Sequence, residues 1–89
     1  MTTPEQEALD ELSNAAYYGY LASLELGHDT TNKNAYLRSA HEALARAESF
    51  APVKNLDPDA VRAAEIEGIR RGEATKQKFT RDTTDGHIR

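Results

Sequence analysis

The hydrophobic positions between residues 15 and 26 form an almost unbroken apolar run, A-A-Y-Y-G-Y-L-A-S-L-E-L, which holds three of the chain's four tyrosines. Only Ser23 and Glu25 interrupt it. A helix that packs against a single neighbour needs one apolar stripe, whereas this run covers most of a helix surface. We therefore expect a helix here that is buried on two sides or that contacts something outside the monomer.

Signals for the start and the end of a helix flank this run. Thr3 is a suitable N-cap, Pro4 fits the first helical position, and Gln6 completes a capping box. Gly27 is a typical residue after a helix end. The sequence thus predicts a first helix over about residues 4–26. One face of this helix collects Leu9, Leu12, Ala16, Tyr17, Tyr20 and Leu24.

Two further helices are predicted, over about residues 32–50 and 58–78. Pro52 closes the second helix, and Asp57 with Pro58 opens the third. Their apolar arcs, which we expect to face the core, include Leu37, Ala43, Leu44, Ala47 and Phe50 in the second helix and Val61, Ala64, Gly68, Ile69 and Gly72 in the third. Residues 80–89 have no hydrophobic periodicity and are predicted to be a loose tail.

Small residues recur every four positions along the third helix, at Ala60, Ala64, Gly68 and Gly72. Such a row removes the side-chain bulk that keeps two helix axes apart, so it favours close approach of another backbone. Each glycine in a helix interior costs about 1 kcal/mol relative to alanine, which close packing offsets. The alternative is that the glycines are merely tolerated and that the helix frays after Ile69.

Composition indicates one small domain with a thin core. The chain has 89 residues and no cysteine, and alanine, its commonest apolar residue, favours helix but buries little area. We predict an all-α protein with an antiparallel helical hairpin plus a third helix in residues 1–79. The longest apolar run is about 12 residues, against roughly 20 for a bilayer span, so we expect a cytoplasmic protein without a membrane partner.

Charge is distributed unevenly along the chain. Residues 1–32 contain six acidic residues and no Lys or Arg, and the whole chain carries a net charge of −4. Basic residues collect near the end of the third helix, at Arg70, Arg71, Lys76, Lys78 and Arg81. Complementarity with the helix dipole accounts for both clusters. The alternative is that the basic set contacts nucleic acid or an acidic partner, although the acidic chain as a whole disfavours nucleic acid.

Small and large residues are spaced along the first two helices as Tyr17-x2-Tyr20-Leu21-x2-Leu24 and Ala40-x3-Leu44-x2-Ala47-x4-Pro52. In these positions, residues 14–52 resemble a single tetratricopeptide-like helical hairpin. The loop between the helices is several residues longer than in that family, and Leu21 stands where a small residue is usual. The resemblance implies a packed helix pair that presents a surface to a peptide or protein, without catalysis.

The titratable residues do not form a pattern typical of catalysis or metal binding. The three histidines are His28, His41 and His87, and no H-x3-H or H-E-x2-H spacing occurs. The early carboxylates, such as Glu7 and Glu11, are typical of a helix start. We therefore expect no enzymatic activity, no metal and no cofactor.

The tyrosine-rich run is the strongest candidate for an interface, because tyrosine provides a large contact area at a small entropic cost. Tyr18 points away from the main apolar face of the first helix and is the candidate anchor. The complete set predicted to bind a partner is Tyr18, Leu21, Ala22, Glu25 and Leu26. The alternative for Tyr18 is a ring that lies flat on the helix surface.

Three hypotheses for the function follow from these patterns. The leading one is a non-enzymatic protein–protein interaction module or small adaptor that acts through the surface of the first helix, with another protein or a second copy of itself as partner. The second is a structural or accessory component of a larger assembly, such as a phage or viral particle. The third is an acidic inhibitor that occupies a nucleic-acid-binding site of a larger protein.

Overall fold

The computed structural model describes the backbone of residues 2–24 and 31–88, and the side chains of these stretches as far as residue 76. It contains three α-helices: α1 spans Pro4–Ser23, α2 spans Thr31–Phe50, and α3 spans Pro58–Ile88. A short 3-10 turn, Val53–Asn55, links α2 to α3. No strand occurs in these two stretches. The predicted all-α, three-helix class is confirmed.

The start of α1 agrees with the prediction, and its end does not. The Thr3 hydroxyl accepts a hydrogen bond from the Gln6 backbone N–H at 3.1 Å, as an N-cap should, whereas the Gln6 side chain, predicted to complete a capping box, donates to Asp10 instead. The helix ends at Ser23, before the predicted end at residue 26. There the Ser23 hydroxyl donates to the Tyr20 carbonyl at 2.6 Å, and the Leu24 N–H donates three residues back, to Leu21. The predicted stop, Gly27, lies outside the described residues.

The third helix is longer than predicted. It begins as expected after Asp57, whose carbonyl accepts the Val61 N–H at 3.0 Å. Its backbone stays helical to Ile88, so both the predicted end near residue 78 and the alternative of fraying after Ile69 were wrong. Lys76, Gln77 and Lys78 favour helix, and each further residue added to a formed helix gains a hydrogen bond, although the Thr, Asp and Gly residues that follow favour helix less. The looseness predicted for residues 80–89 stays a prediction.

The central element is α1, which packs against α2 on one side and against α3 on the other. Arg46 of α2 pairs with Glu11 of α1, and Phe50, farther along α2, lies beside Glu7, earlier in α1, so these two helices are antiparallel. Gly68 lies opposite Ser13 and Gly72 lies opposite Tyr20, so α3 runs parallel to α1. The walls of this arrangement, α2 and α3, make little direct contact. The expectation that the first helix is buried on two sides is therefore confirmed.

The core is small and rich in alanine. Its main cluster contains Ala8, Leu12, Ala47, Ala51, Leu56 and Ala64. No large side chain among the described residues is fully buried. The helices therefore approach closely through small residues and gain limited stabilisation from each buried side chain.

Close approach between α1 and α3 depends on two glycines. A Cβ atom at Gly68 would clash with the Ser13 carbonyl oxygen and would lie 2.9 Å from both the Ala16 Cβ and the Tyr17 backbone nitrogen. A Cβ atom at Gly72 would clash with the Tyr20 ring. The predicted function of the small-residue row in helix packing is confirmed at these two positions.

Candidate interaction site

An apolar groove opens on one side of α1, between α2 and α3. Its volume is about 570 Å³. The floor consists of Leu12, Ala15 and Ala16 from α1, and the walls carry Leu44 from α2 and Val61 from α3. We call this the front groove; its lining is completed by Glu48, Val53 and Glu65. The groove exists because both outer helices pack on α1 and hardly touch each other.

The α2 wall of the front groove continues beyond Leu44. Leu37 precedes it by seven residues, or about two helical turns, and therefore lies on the same stripe of α2. Both side chains are exposed in the monomer. An exposed apolar stripe beside an apolar groove enlarges the continuous surface that a partner can cover.

The charged side chains that line the front groove are both acidic. Glu48 stands on the α2 wall and Glu65 on the α3 wall. One carboxylate oxygen of Glu48 accepts the backbone N–H of Val53 at 3.2 Å, which holds the side chain at the end of the groove. The groove therefore presents an apolar centre with a carboxylate on each wall, a combination that favours an apolar ligand with cationic edges.

The opposite face of α1 carries a polar network that crosses all three helices. From α2, Arg46 donates to the Glu11 carboxylate. Asn14 donates to the other Glu11 oxygen at 2.9 Å and accepts from the Arg71 guanidinium of α3 at 2.9 Å. We call this the back network; its full membership is Glu11, Asn14, Tyr17, Arg46, Arg71 and Thr75. It faces away from the groove because Asn14 lies about 200° around the helix from Leu12.

Tyr17 anchors the α3 end of the back network. The Arg71 guanidinium lies 4.8 Å from the centre of the Tyr17 ring, in a cation–π arrangement. The Tyr17 hydroxyl lies 3.4 Å from the Thr75 hydroxyl, which also donates to the Arg71 carbonyl at 3.1 Å. These contacts give α3 a second attachment to α1, beyond the glycine contact at Gly68.

The electrostatics of the back network centre on Glu11. The hydrogen bond from Arg46 lowers the pKa of the Glu11 carboxyl, partial burial opposes that shift, and the hydrogen bond from Asn14 supports it. The same bond raises the pKa of Arg46. The net direction for Glu11 is downward, so the charged carboxylate is the form that the fold stabilises.

A second hollow, of about 430 Å³, lies between α1 and α3 and is more polar. Its polar side chains largely bond to each other: Gln6 donates to Asp10 at 3.0 Å, and Arg71 donates to Asn14. The Ser13 hydroxyl, which is buried, has no hydrogen-bond partner. Because most of its polar groups are already paired, this hollow is a weaker candidate for binding than the front groove.

The structure separates the five residues predicted to bind a partner. Tyr18 is partly exposed and packs edge-on against Tyr17, with ring centres 5.3 Å apart. Leu21 is only 9% exposed and Ala22 only 2%, so their prediction as surplus surface residues was wrong. They are buried because neighbours on both sides of α1 cover positions that a one-sided helix would expose. Glu25 and Leu26 lie outside the described residues.

The predicted basic set is also divided. Arg71 is exposed, and its guanidinium donates to Asn14 and lies over the Tyr17 ring of α1; its contact with nucleic acid or an acidic partner stays a prediction. Arg70 and Lys76 are exposed on α3. The side chains of Lys78 and Arg81 lie outside the described part of the chain. A contiguous basic surface formed by all five residues remains a prediction.

Several apolar side chains that were predicted to be buried lie at the surface. Leu37, Leu44, Phe50 and Ile69 were predicted to face the core, and all four are exposed. Alanine and glycine make the direct contacts between the helices. The larger side chains beside them are therefore left uncovered. The detectable signal was this surplus: the apolar arcs of α2 and α3 are wider than small-residue packing against one helix requires.

Ion sites and membrane spans are both absent among the described residues. His41 is exposed on α2, whereas His28 and the side chain of His87 lie outside the part of the chain that the structure describes. Among the residues described, no group of three or more His, Cys, Asp or Glu side chains is arranged to hold a metal ion. Within the same stretches, every helix is too short or too polar to cross a membrane.

Comparison of the chain with protein-family models, with curated proteins and with solved structures found no match. The resemblance of residues 14–52 to a tetratricopeptide-like hairpin therefore stays a prediction. The front groove and the back network are therefore the features from which a function can be inferred.

Proposed function

We propose that this chain is a non-enzymatic protein–protein interaction module whose front groove holds an amphipathic helix of its partner. The observation that supports this proposal is the open apolar channel between α2 and α3, with Leu12 on its floor and Leu44 and Val61 on its walls. Grooves between helices commonly receive the apolar face of another helix, whose side chains at spacings of three and four residues fill the channel. The α1 residues that form this site are Leu12, Ala15 and Ala16, whereas Leu21 and Ala22 of the same helix do not line it.

The chemistry of the partner follows from the charges on the walls. Glu48 and Glu65 stand on opposite walls, so a helix in the groove places its flanks beside two carboxylates. Lysine or arginine on those flanks forms favourable pairs, and acidic flanks are repelled. The partner is therefore a helix with an apolar stripe and basic edges.

Binding of a designed peptide tests this proposal. The probe is a fluorescently labelled helix with leucines on one face and lysines on both flanks, and the control peptide has glutamates in place of the lysines. Anisotropy titration should detect binding of the lysine peptide and at least about tenfold weaker binding of the glutamate peptide. Equal binding of both peptides would contradict the role of Glu48 and Glu65.

Two matched variants locate the bound peptide. Leu44 is 43% exposed on the groove side of α2, and Phe50 is 41% exposed on the side of the back network. Leu44→Gln should weaken binding of the lysine peptide at least about tenfold, because it removes an apolar contact in the centre of the groove. Phe50→Gln should leave binding unchanged. Similar losses in both variants would place the peptide elsewhere.

A further inference from the structure

We infer that the occupant of the front groove is a second copy of this chain, in a reciprocal dimer. This inference rests on the proposed function, because it names the partner for the same groove. The docking segment is an exposed stripe on α3, which each copy inserts between α2 and α3 of the other. Each copy then supplies one groove and one stripe, as a twofold dimer requires.

The stripe lies on the side of α3 that faces away from α1. Ile66 lies about 160° around the helix from Gly68 and Ile69 about 100° from it, and both are exposed, while Gly68 contacts α1. Arg62 precedes Ile66 by one helical turn and Arg70 follows it by one turn, and both are exposed. We call Arg62, Ile66, Ile69 and Arg70 the outer stripe. It is a helical surface with two isoleucines in its centre and an arginine at each end.

Groove and stripe are complementary in charge. The groove offers carboxylates at Glu48 and Glu65, and the stripe offers guanidinium groups at Arg62 and Arg70. Arginine suits such a pairing because its planar group makes two parallel hydrogen bonds to a carboxylate. The chain therefore contains the ligand chemistry that its own groove selects.

The same dimer accounts for most of the exposed apolar surface. The large exposed hydrophobic side chains among the described residues are Leu37, Leu44, Phe50, Ile66 and Ile69. The first two belong to the groove side of α2 and the last two to the outer stripe, so one reciprocal contact covers four of them. Phe50 lies apart, on the side of the back network. Because the monomer core is thin and rich in alanine, association can add to the stability of the fold.

Charge reversal in two separate chains tests this pairing. Full-length Arg62→Glu/Arg70→Glu places carboxylates on both the stripe and the groove, and full-length Glu48→Arg/Glu65→Arg places guanidinium groups on both. Each variant should be a monomer by sedimentation equilibrium at concentrations where the wild type is a dimer. A mixture of the two variants should form a heterodimer, because both reciprocal contacts then join opposite charges. Circular dichroism checks that each variant remains helical.

The control is Arg38→Glu, which reverses an exposed charge on α2 outside the groove lining. It should leave the wild-type dimerisation constant unchanged, whereas each double reversal should weaken self-association at least about tenfold. A wild type that is monomeric from micromolar to millimolar concentration overturns the inference. So does a mixture that stays monomeric, and so do open-ended filaments in place of a closed dimer.

The outcome also separates this inference from the proposed function. If the wild type is monomeric and binds the lysine-flanked peptide at Leu44, the groove is a site for a foreign helix. A second copy is then not its occupant. A monomer that binds neither peptide contradicts both. A dimer that the charge reversals do not weaken places self-association on another surface and rejects the reciprocal pairing.

Discussion

The two open faces of α1 connect the outer helices in opposite ways. On one face, the back network joins Arg46 of α2 to Arg71 of α3 through Glu11 and Asn14. On the other face, the front groove leaves α2 and α3 apart, with apolar side chains such as Leu44 directed to the gap. The same pair of helices is thus bridged by polar contacts on one side of α1 and unbridged on the other.

This difference separates stability from recognition. Hydrogen bonds in the back network are directional and already occupied, so they hold the three helices in position and leave few polar groups for a partner. The front groove exposes apolar surface whose burial is favourable only when something covers it. We therefore expect substitutions at the back to change the free energy of unfolding, and substitutions at the front to change association.

The largest effect is expected from Gly68→Ala, which disturbs the contact that both faces share. The added Cβ meets the Ser13 carbonyl and the Tyr17 nitrogen, which belong to backbone and cannot rotate away. We expect a loss of about 2–3 kcal/mol in the free energy of unfolding, although Gly→Ala in an exposed helix stabilises by about 1 kcal/mol. Urea denaturation monitored by circular dichroism measures this change.

Alanine substitutions at two other helical glycines serve as controls for Gly68→Ala. At Gly19 an added Cβ meets nothing within 4 Å, so Gly19→Ala should stabilise the protein. At Gly72 the added atom meets the Tyr20 ring, which can shift, so the loss should be smaller than at Gly68. If Gly68→Ala were as stabilising as Gly19→Ala, the close approach of α1 and α3 would not be a determinant of the fold.

Leu37→Gln tests how far the front face extends along α2. Leu37 is exposed, so its replacement should change the monomer's free energy of unfolding little, but it should weaken self-association about fivefold to tenfold. Sedimentation equilibrium measures the association, and Phe50→Gln is the control on the other side of α2. An unchanged dimerisation constant for Leu37→Gln would confine the groove to the neighbourhood of Leu44.

Local signals in the sequence predicted the elements of this fold. Thr3, Pro4 and Gln6 located the start of α1, and the spacing of Gly68 and Gly72 predicted close approach by another helix. Each of these features depends on residues within one or two helical turns. Such features can be inferred from the chain because capping and the lack of a Cβ act locally.

The candidate site could not be predicted in the same way, because it depends on which helices touch. The apolar arcs of α2 and α3 give no direct information on whether a neighbour covers Leu44 or Ile69. Both outer helices pack on α1 through alanine and glycine, which leaves these larger side chains exposed. The same arrangement covers Leu21 and Ala22 on α1. Arg71 was predicted for an external contact. In the structure it belongs to the back network, because Tyr17 and Asn14 lie beneath it.

Two adjacent arginines test the separation of the faces directly. Arg71→Ala removes the hydrogen bond to Asn14 and the cation–π contact with Tyr17, so we expect a loss of about 1 kcal/mol in the free energy of unfolding. Arg70→Ala removes a charge from the outer stripe and should leave that free energy unchanged while weakening association. Unfolding is measured at a concentration below the dimerisation constant, so that association does not contribute.

If the two variants exchange roles or lose equal stability, the back network does not serve stability while the front face serves association. Arg71→Lys adds a further control, because it keeps the charge but loses the planar group that stacks on Tyr17. We expect its stability to lie between the wild type and Arg71→Ala.

The smallest effect is the pH dependence that Glu11 adds to stability. Because hydrogen bonding by Arg46 lowers the pKa of Glu11 in the folded chain, the charged form is stabilised relative to the unfolded chain. This contribution is present above the ordinary glutamate pKa of about 4.3 and is lost as the pH falls through the lowered folded value. Glu11→Gln should therefore lower the melting temperature by a few degrees at pH 7, with a difference from wild type that shrinks as the medium is acidified below about pH 4.

A thermal melting series across this pH range, with Glu73→Gln as an exposed control on α3, distinguishes the network from general charge effects. The melting temperature of the control should not show the pH-dependent difference from wild type that is expected for Glu11→Gln, because Glu73 lies outside the back network. Exposed ion pairs add little to stability, and salt screens them. Half of the Arg46 side-chain surface is accessible, and the effect should therefore be small. A constant difference between Glu11→Gln and wild type down to pH 3 would show that Glu11 acts through shape or hydrogen bonding alone, and the charge in the back network would then have no part in joining the helices.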